Sequence, residues 1–162
     1  MGRNVSVRLC AVALAAASLA LIPLSGPTGA ATSKVSCTKE TSKKPSIKGN
    51  TAKVTATLGG CVNLAPSGTN SSTINTKTLT GTSKTTWAGG KGTTTQSVKY
   101  KTLTTLGKCP KGDVRLAVTA TTTGGTLAAA TAIPKGSVGK SSICENAKTM
   151  IGTLEPGTKA TF

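Results

Sequence analysis

Glu40, Asp113, Glu145 and Glu155 are the four carboxylates of this 162-residue chain, and it has no histidine. Without imidazole there is no Ser-His-Asp or Cys-His machinery, no histidine proton shuttle and no imidazole metal ligand. A glycosidase needs two carboxylates facing one sugar across a cleft. The spacing of these four favours no such pair, and sugar platforms are scarce, since the aromatics are Trp87, Tyr100 and Phe162. Serine and threonine abound, yet no Gly-x-Ser-x-Gly elbow occurs and no base is present to activate one. Ser137-Val138-Gly139-Lys140 matches Ser-x-x-Lys by coincidence in a glycine-rich stretch. Gly89-Gly90-Lys91-Gly92-Thr93 lacks phosphate-loop spacing and suits a hairpin turn. Asn70-Ser71-Ser72 fits the N-glycosylation pattern. The reading is non-enzymatic: no catalytic residues, no cofactor and no metal site.

Cysteine is the next reactive type. The first 31 residues read as a secretory signal: Arg3 and Arg8, an apolar run over 9–24, then small residues up to Ala30 and Ala31. The run is short for a bilayer span of roughly 20 residues, so no transmembrane anchor is expected. Cys10 lies inside this signal, with no small-residue lipobox before it. Cleavage leaves Cys37, Cys61, Cys109 and Cys144, an even count in an exported chain, which implies two disulfides. Three connectivities are open. The sequential one, Cys37–Cys61 with Cys109–Cys144, is preferred because each bridge then staples one half of the chain.

Positive charge is the strongest functional hint. The chain carries 20 Lys+Arg against 4 Asp+Glu, a formal +16. Beyond residue 31 every basic residue is lysine except Arg115. Base and phosphate readers favour arginine forks, and single-strand binders favour aromatic stacking. Neither is present, so no specific nucleic-acid partner is expected. Spread-out lysines suit salt-sensitive attraction to anionic polymers, which outside a cell means wall polymer, acidic polysaccharide or lipid headgroups. The anion-contacting candidates are the run Lys39, Lys43, Lys44 and Lys48, with Lys99 and Lys101. The competing reading is a charge that only keeps the protein soluble.

These residues need a scaffold. From 32 to 162 the chain holds 30 threonines, a β-branched type suited to pleated surfaces, and apolar residues that alternate. Residues 52–58 alternate Val54, Ala56 and Leu58 against Lys53, Thr55 and Thr57. Residues 93–103 set Val98 and Tyr100 against Lys99 and Lys101, and 114–119 set Val114, Leu116 and Val118 against Arg115, Ala117 and Thr119. Further strands are expected at 73–82 and 84–87, with sheet closure by 151–154 or 159–162. Residues 63–72, 107–112 and 134–142 read as loops, 127–132 as helix, strand or turn, and 143–150 as ambiguous. The fold class is all-β: a single antiparallel β-sandwich or barrel-like domain over 32–162 with two disulfides, and 32–46 flexible. Trp87 is expected to cap the core where aliphatics are scarce, with a ligand platform as the lesser reading.

The order of features resembles a group of small secreted actinobacterial proteins with a Thr/Gly-rich β-domain. The residues that carry it are Cys37, Thr55-Ala56-Thr57-Leu58-Gly59-Gly60-Cys61, Thr85-Thr86-Trp87 before a glycine turn, and Cys144 followed by Gly152-Thr153-Leu154. That resemblance implies fold and secretion, and supplies no activity. The functional expectation is a secreted or wall-associated domain that binds anionic envelope components through lysines. The alternatives are an effector or inhibitor acting through loop 63–72 or 134–142, and a hydrolase built on an unrecognised carboxylate pair.

Overall fold

The protein's structure, a computed structural model, describes residues 35–105, 107–127 and 133–162. The segment 1–31 read as an export signal, with its Cys10, and most of 127–132 lie outside the described residues. Thr32–Phe162 is one compact unit.

The described residues form ten strands and no helix. They are β1 (Ser36–Ser42), β2 (Ser46–Lys48), β3 (Thr51–Val62), β4 (Ser67–Asn75), β5 (Thr80–Trp87), β6 (Gly92–Thr102), β7 (Asp113–Gly125), β8 (Val138–Asn146), β9 (Gly152–Leu154) and β10 (Ala160–Thr161). From β3 to β9 each strand pairs antiparallel with the next. Strand β1 then pairs β3 on one side and β9 and β10 on the other, which closes the sheet into an eight-stranded barrel. β9 and β10 act as one interrupted stave, and β2 extends the edge of β3 below β1. Of the two architectures read from the sequence, the barrel is the one formed.

Meander order sends the connections after β3, β5 and β7 to one end of the barrel. That end carries the apolar cluster: Val35, Cys37, Leu58, Cys61, Ala65, Trp87 and Ile133, with Leu64, Leu127 and Phe162 packed on it. Trp87 is 2% exposed, donates from Nε1 to Thr94 Oγ1 at 2.8 Å, and meets Phe162 edge-on at 5.0 Å. It caps the core, as its type and position suggested. Gly60 makes the cap possible. Strict alternation from Leu58 would turn Cys61 outward, but Gly60 has φ +58° and resets the parity, as a bulge does. Cys61 then enters the cluster and bonds Cys37 across β1 and β3. The second bridge, Cys109–Cys144, ties the β6–β7 connection to β8. The pairing is the sequential one.

Four local expectations need correction. The lysine-rich start read as flexible holds β1, whose pairing with β3 closes the barrel. Residues 73–82 are not one strand but the end of β4, a turn and the start of β5. Asn75 Oδ1 accepts from the N–H groups of Lys77 and Thr78, the Leu79 N–H returns to Asn75 O, and Leu79 takes φ +54°. No glycine or proline announces that turn. It recurs at Asn146-Ala-Lys-Thr-Met150, with Asn146 accepting from Lys148 and Thr149 and Met150 at φ +58°. Lastly, the loops read at 63–72 and 134–142 are mostly strand, since β4 begins at Ser67 and β8 at Val138.

Candidate functional site

Strand alternation fills the barrel with side chains of one parity from each strand. Register sorts them into layers. Below the apolar cap lie Asn70, Thr85 and Thr94 on neighbouring strands. The next layer is Ser72, Ser83, Gln96 and Thr122 on β4, β5, β6 and β7. Then come Ile74, Gly81, Val98, Ala120 and Gly139, followed by Tyr100, Val118 and Ser141. The middle of this barrel is polar.

Part of that polarity satisfies itself. Ser72 Oγ donates to Asn70 Oδ1 at 2.7 Å, and Asn70 Nδ2 donates to Thr85 Oγ1 at 2.9 Å. The Asn70 amide therefore faces inward and is withdrawn from glycosylation in the folded protein. The layer beneath is unsatisfied: Ser83 Oγ, Gln96 Nε2 and Thr122 Oγ1 are buried without a hydrogen-bond partner. They sit on three adjacent strands at one level.

A cavity of about 40 Å³ opens beside them. Its lining includes Ser72, Ser83, Gln96, Tyr100, Ser141 and Glu40, with Phe162 of the cap at its upper edge and the exposed Lys140 at its rim. Of the four carboxylates, Glu40 alone lines it. Burial pushes the Glu40 carboxyl up from 4.5 to about 7. Tyr100 is pushed up to about 12, first by burial and then by the Glu40 charge, with a smaller push from Glu145 and an opposing pull from the Ser72 hydroxyl. Burial also raises Glu145. So two of the four acids sit in surroundings that disfavour their charge.

The third acid is sealed on the outer wall. Glu155 accepts from the Lys108 N–H at 2.8 Å and from Arg115 Nε at 2.8 Å. The Lys108 N–H, then the Ser142 hydroxyl, then Arg115 hold its carboxyl down to about 2. This is the ion pair among the described residues, with Arg115 24% and Glu155 4% exposed at the side chain. Asp113 Oδ1 accepts from Asn146 Nδ2 at 3.1 Å.

Every described lysine is exposed. Lys39 stands on β1, Lys48 on β2, Lys53 on β3, Lys84 on β5, Lys99 and Lys101 on β6, and Lys140 on β8, with Lys43 and Lys44 between β1 and β2. The candidates named from the sequence are therefore outside the barrel but not on one face. Lys99 and Lys140 both pair with Thr119, which sets them on either side of β7 at one level. The loops offered as protein-docking segments shrink to 63–66 and 134–137. In the first, Leu64 and Ala65 are built into the apolar cluster.

Sequence reasoning missed the interior. Its signal was present: parity carried back from Val98 and Tyr100 puts Gln96 and Thr94 inside. Among the described residues no three His, Cys, Asp or Glu gather as a metal site, and no helix is long and apolar enough to cross a membrane. No protein family, curated protein or solved structure matches this chain.

Proposed function

We propose that the protein is a secreted, non-enzymatic β-barrel whose lysine exterior holds it on anionic polymers of the cell envelope. One observation carries the reading: the acids are withdrawn from the outer surface while the lysines are left on it. Glu40 is inside, Glu155 is 3% exposed and paired, Glu145 is half-buried, and Asp113 is half-buried and accepts from Asn146. A surface that served only solubility would work as well with both signs interspersed. A one-sign surface raises the local concentration of its counter-charge, and that attraction weakens steeply with salt. Lysines on six strands around the wall suit a polymer that can wrap the barrel, rather than one docking epitope. Two disulfides fit an oxidising destination.

The test is retention on purified cell wall across a salt series. Retention should fall steadily between 50 mM and 500 mM salt. It should also fall in proportion to the charge removed when Lys99 and Lys101, or Lys39, Lys43, Lys44 and Lys48, are changed to glutamine. Retention that ignores salt, or that one pair of lysines abolishes entirely, overturns the reading.

A further inference from the structure

A closed eight-stranded barrel has just enough interior to be filled by its own side chains or to hold one small ligand. This barrel does not fill itself. Three adjacent strands aim Ser83 Oγ, Gln96 Nε2 and Thr122 Oγ1 inward without partners, and these residues are 5%, 2% and 2% exposed. An unmet buried donor or acceptor costs about 1–3 kcal/mol, so three on one level amount to an incomplete layer. Ser83 and Gln96 line the 40 Å³ cavity, and Glu40 lines it as well, with no cationic partner among the described residues.

The chemistry of that lining defines what completes it. A Gln amide nitrogen donates only, so the occupant must bring an acceptor oxygen to Gln96. A carboxylate accepts only, so it must bring a donor to Glu40. The volume accommodates about three water centres, which limits the occupant to a few heavy atoms. We propose that the barrel interior binds a small protonated amine that also carries a hydroxyl or carbonyl oxygen, its nitrogen at Glu40 and its oxygen at Gln96 and Ser83. A bound cation gives the Glu40 carboxylate the counter-charge that the barrel itself lacks. The exterior lysines oppose entry only at long range, since at 0.15 M salt their field is screened beyond about 8 Å.

Tyr100 from β6 feels the charge of Glu40 and, more weakly, that of Glu145 on β8, and the rim residue Lys140 of β8 lines the same cavity as Glu40. β3 offers Leu58, and β9 and β10 offer no ionisable side chain. Tyr100 keeps its proton below pH 8, so Glu40 is the acid lining the cavity whose ionisation follows pH there.

The experiment uses the disulfide-intact protein at 0.15 M salt and three probes of one size: ethanolamine, ethylene glycol and glycolate. Side-chain amide NMR reads Gln96, and the melting temperature reads binding. Ethanolamine should shift the Gln96 amide and raise the melting temperature. Ethylene glycol should bind at least tenfold more weakly, and glycolate should not bind. Ethanolamine affinity should rise at least tenfold from pH 5 to pH 8. Glu40→Gln should erase both that rise and the preference for ethanolamine over ethylene glycol. The proposal is overturned if no probe moves Gln96 at 100 mM, which would leave the cavity to water. It is equally overturned if glycolate binds as well as ethanolamine, or if Glu40→Gln keeps the pH dependence.

Discussion

Replacing Glu40 with glutamine should stabilise the protein, by an amount that grows with pH. The wild-type carboxyl sits inside the barrel beside Leu58 and Tyr100, where burial raises it from 4.5 to about 7. Between those values the folded protein holds a proton that the unfolded chain has released. Stability therefore falls as pH rises through this window, and the loss is complete above about 7. The interval from 4.5 to about 7, at about 1.36 kcal/mol per pH unit, gives about 3 kcal/mol. Glutamine keeps the shape of the protonated acid and never ionises. The assay is urea unfolding of both proteins at half-unit steps from pH 4 to pH 8.5. The difference in unfolding free energy should be near zero at pH 4 and about 3 kcal/mol in favour of Glu40→Gln at pH 8. Taking the difference cancels the lysine repulsion common to both proteins. A difference that stays constant with pH, or a wild type that gains on the variant as pH rises, refutes the burial argument.

Glu155 titrates with the opposite sign. Its carboxyl is held down to about 2, so the stability it brings is present above about 4.5 and lost as pH falls toward 2. Glu155→Gln should flatten that acid limb in a thermal-melt series, and an unchanged limb counts against the Lys108–Ser142–Arg115 cradle. Closing loops of 24 and 35 residues, the two disulfides should each contribute about 3–4 kcal/mol in the chain-entropy model. Denaturant titration of Cys109→Ala/Cys144→Ala checks this, and a loss below about 1 kcal/mol contradicts it. Thr94→Val is nearly isosteric but leaves the buried Trp87 N–H without its acceptor. It should cost about 1–3 kcal/mol while the emission of this single tryptophan stays that of a buried ring. A neutral result would mean the indole N–H is satisfied elsewhere.

Alternation on β6 and β7 was readable because lysine or arginine stands opposite valine, leucine and tyrosine, and charge marks the outer side. The even cysteine count was readable for the same kind of reason: type and compartment constrain it. The polar interior was not readable by residue type. Thr85, Thr94 and Thr122 are buried, yet threonine is as common on the outer faces, so hydropathy alone assigns it no side. Parity would have assigned it, but only where the strand bounds are known. Those were hidden by turns such as Asn75–Leu79, in which an asparagine side chain does the work usually given to glycine. β1 was hidden differently. Its partners are β3, β9 and β10, the last two more than a hundred residues away, so nothing local to 36–42 marks it as the closing stave.

Closure also changes what the lysines can be for. On an open sheet, outward lysines guard unpaired edges against pairing with another chain. Here β1 meets β9 and β10, so the full-length edges are gone and the flanking β2 exposes three residues. Edge protection therefore accounts for few of the lysines on β3, β5, β6 and β8. Core support does not account for them either, since each is exposed. What the arrangement does achieve is a separation of sign: carboxyls buried or half-buried, ammonium groups exposed. In the two proposals the halves of that separation face different partners: the outer half would act at a distance on large anions and fade with salt, and the inner half would act at contact on a small cation. Salt should therefore weaken the first and leave the second almost unchanged. A single salt series on wall retention and ethanolamine binding would show whether the two are independent. If both fell together, the interior would be responding to the exterior field, and the separation would not be functional.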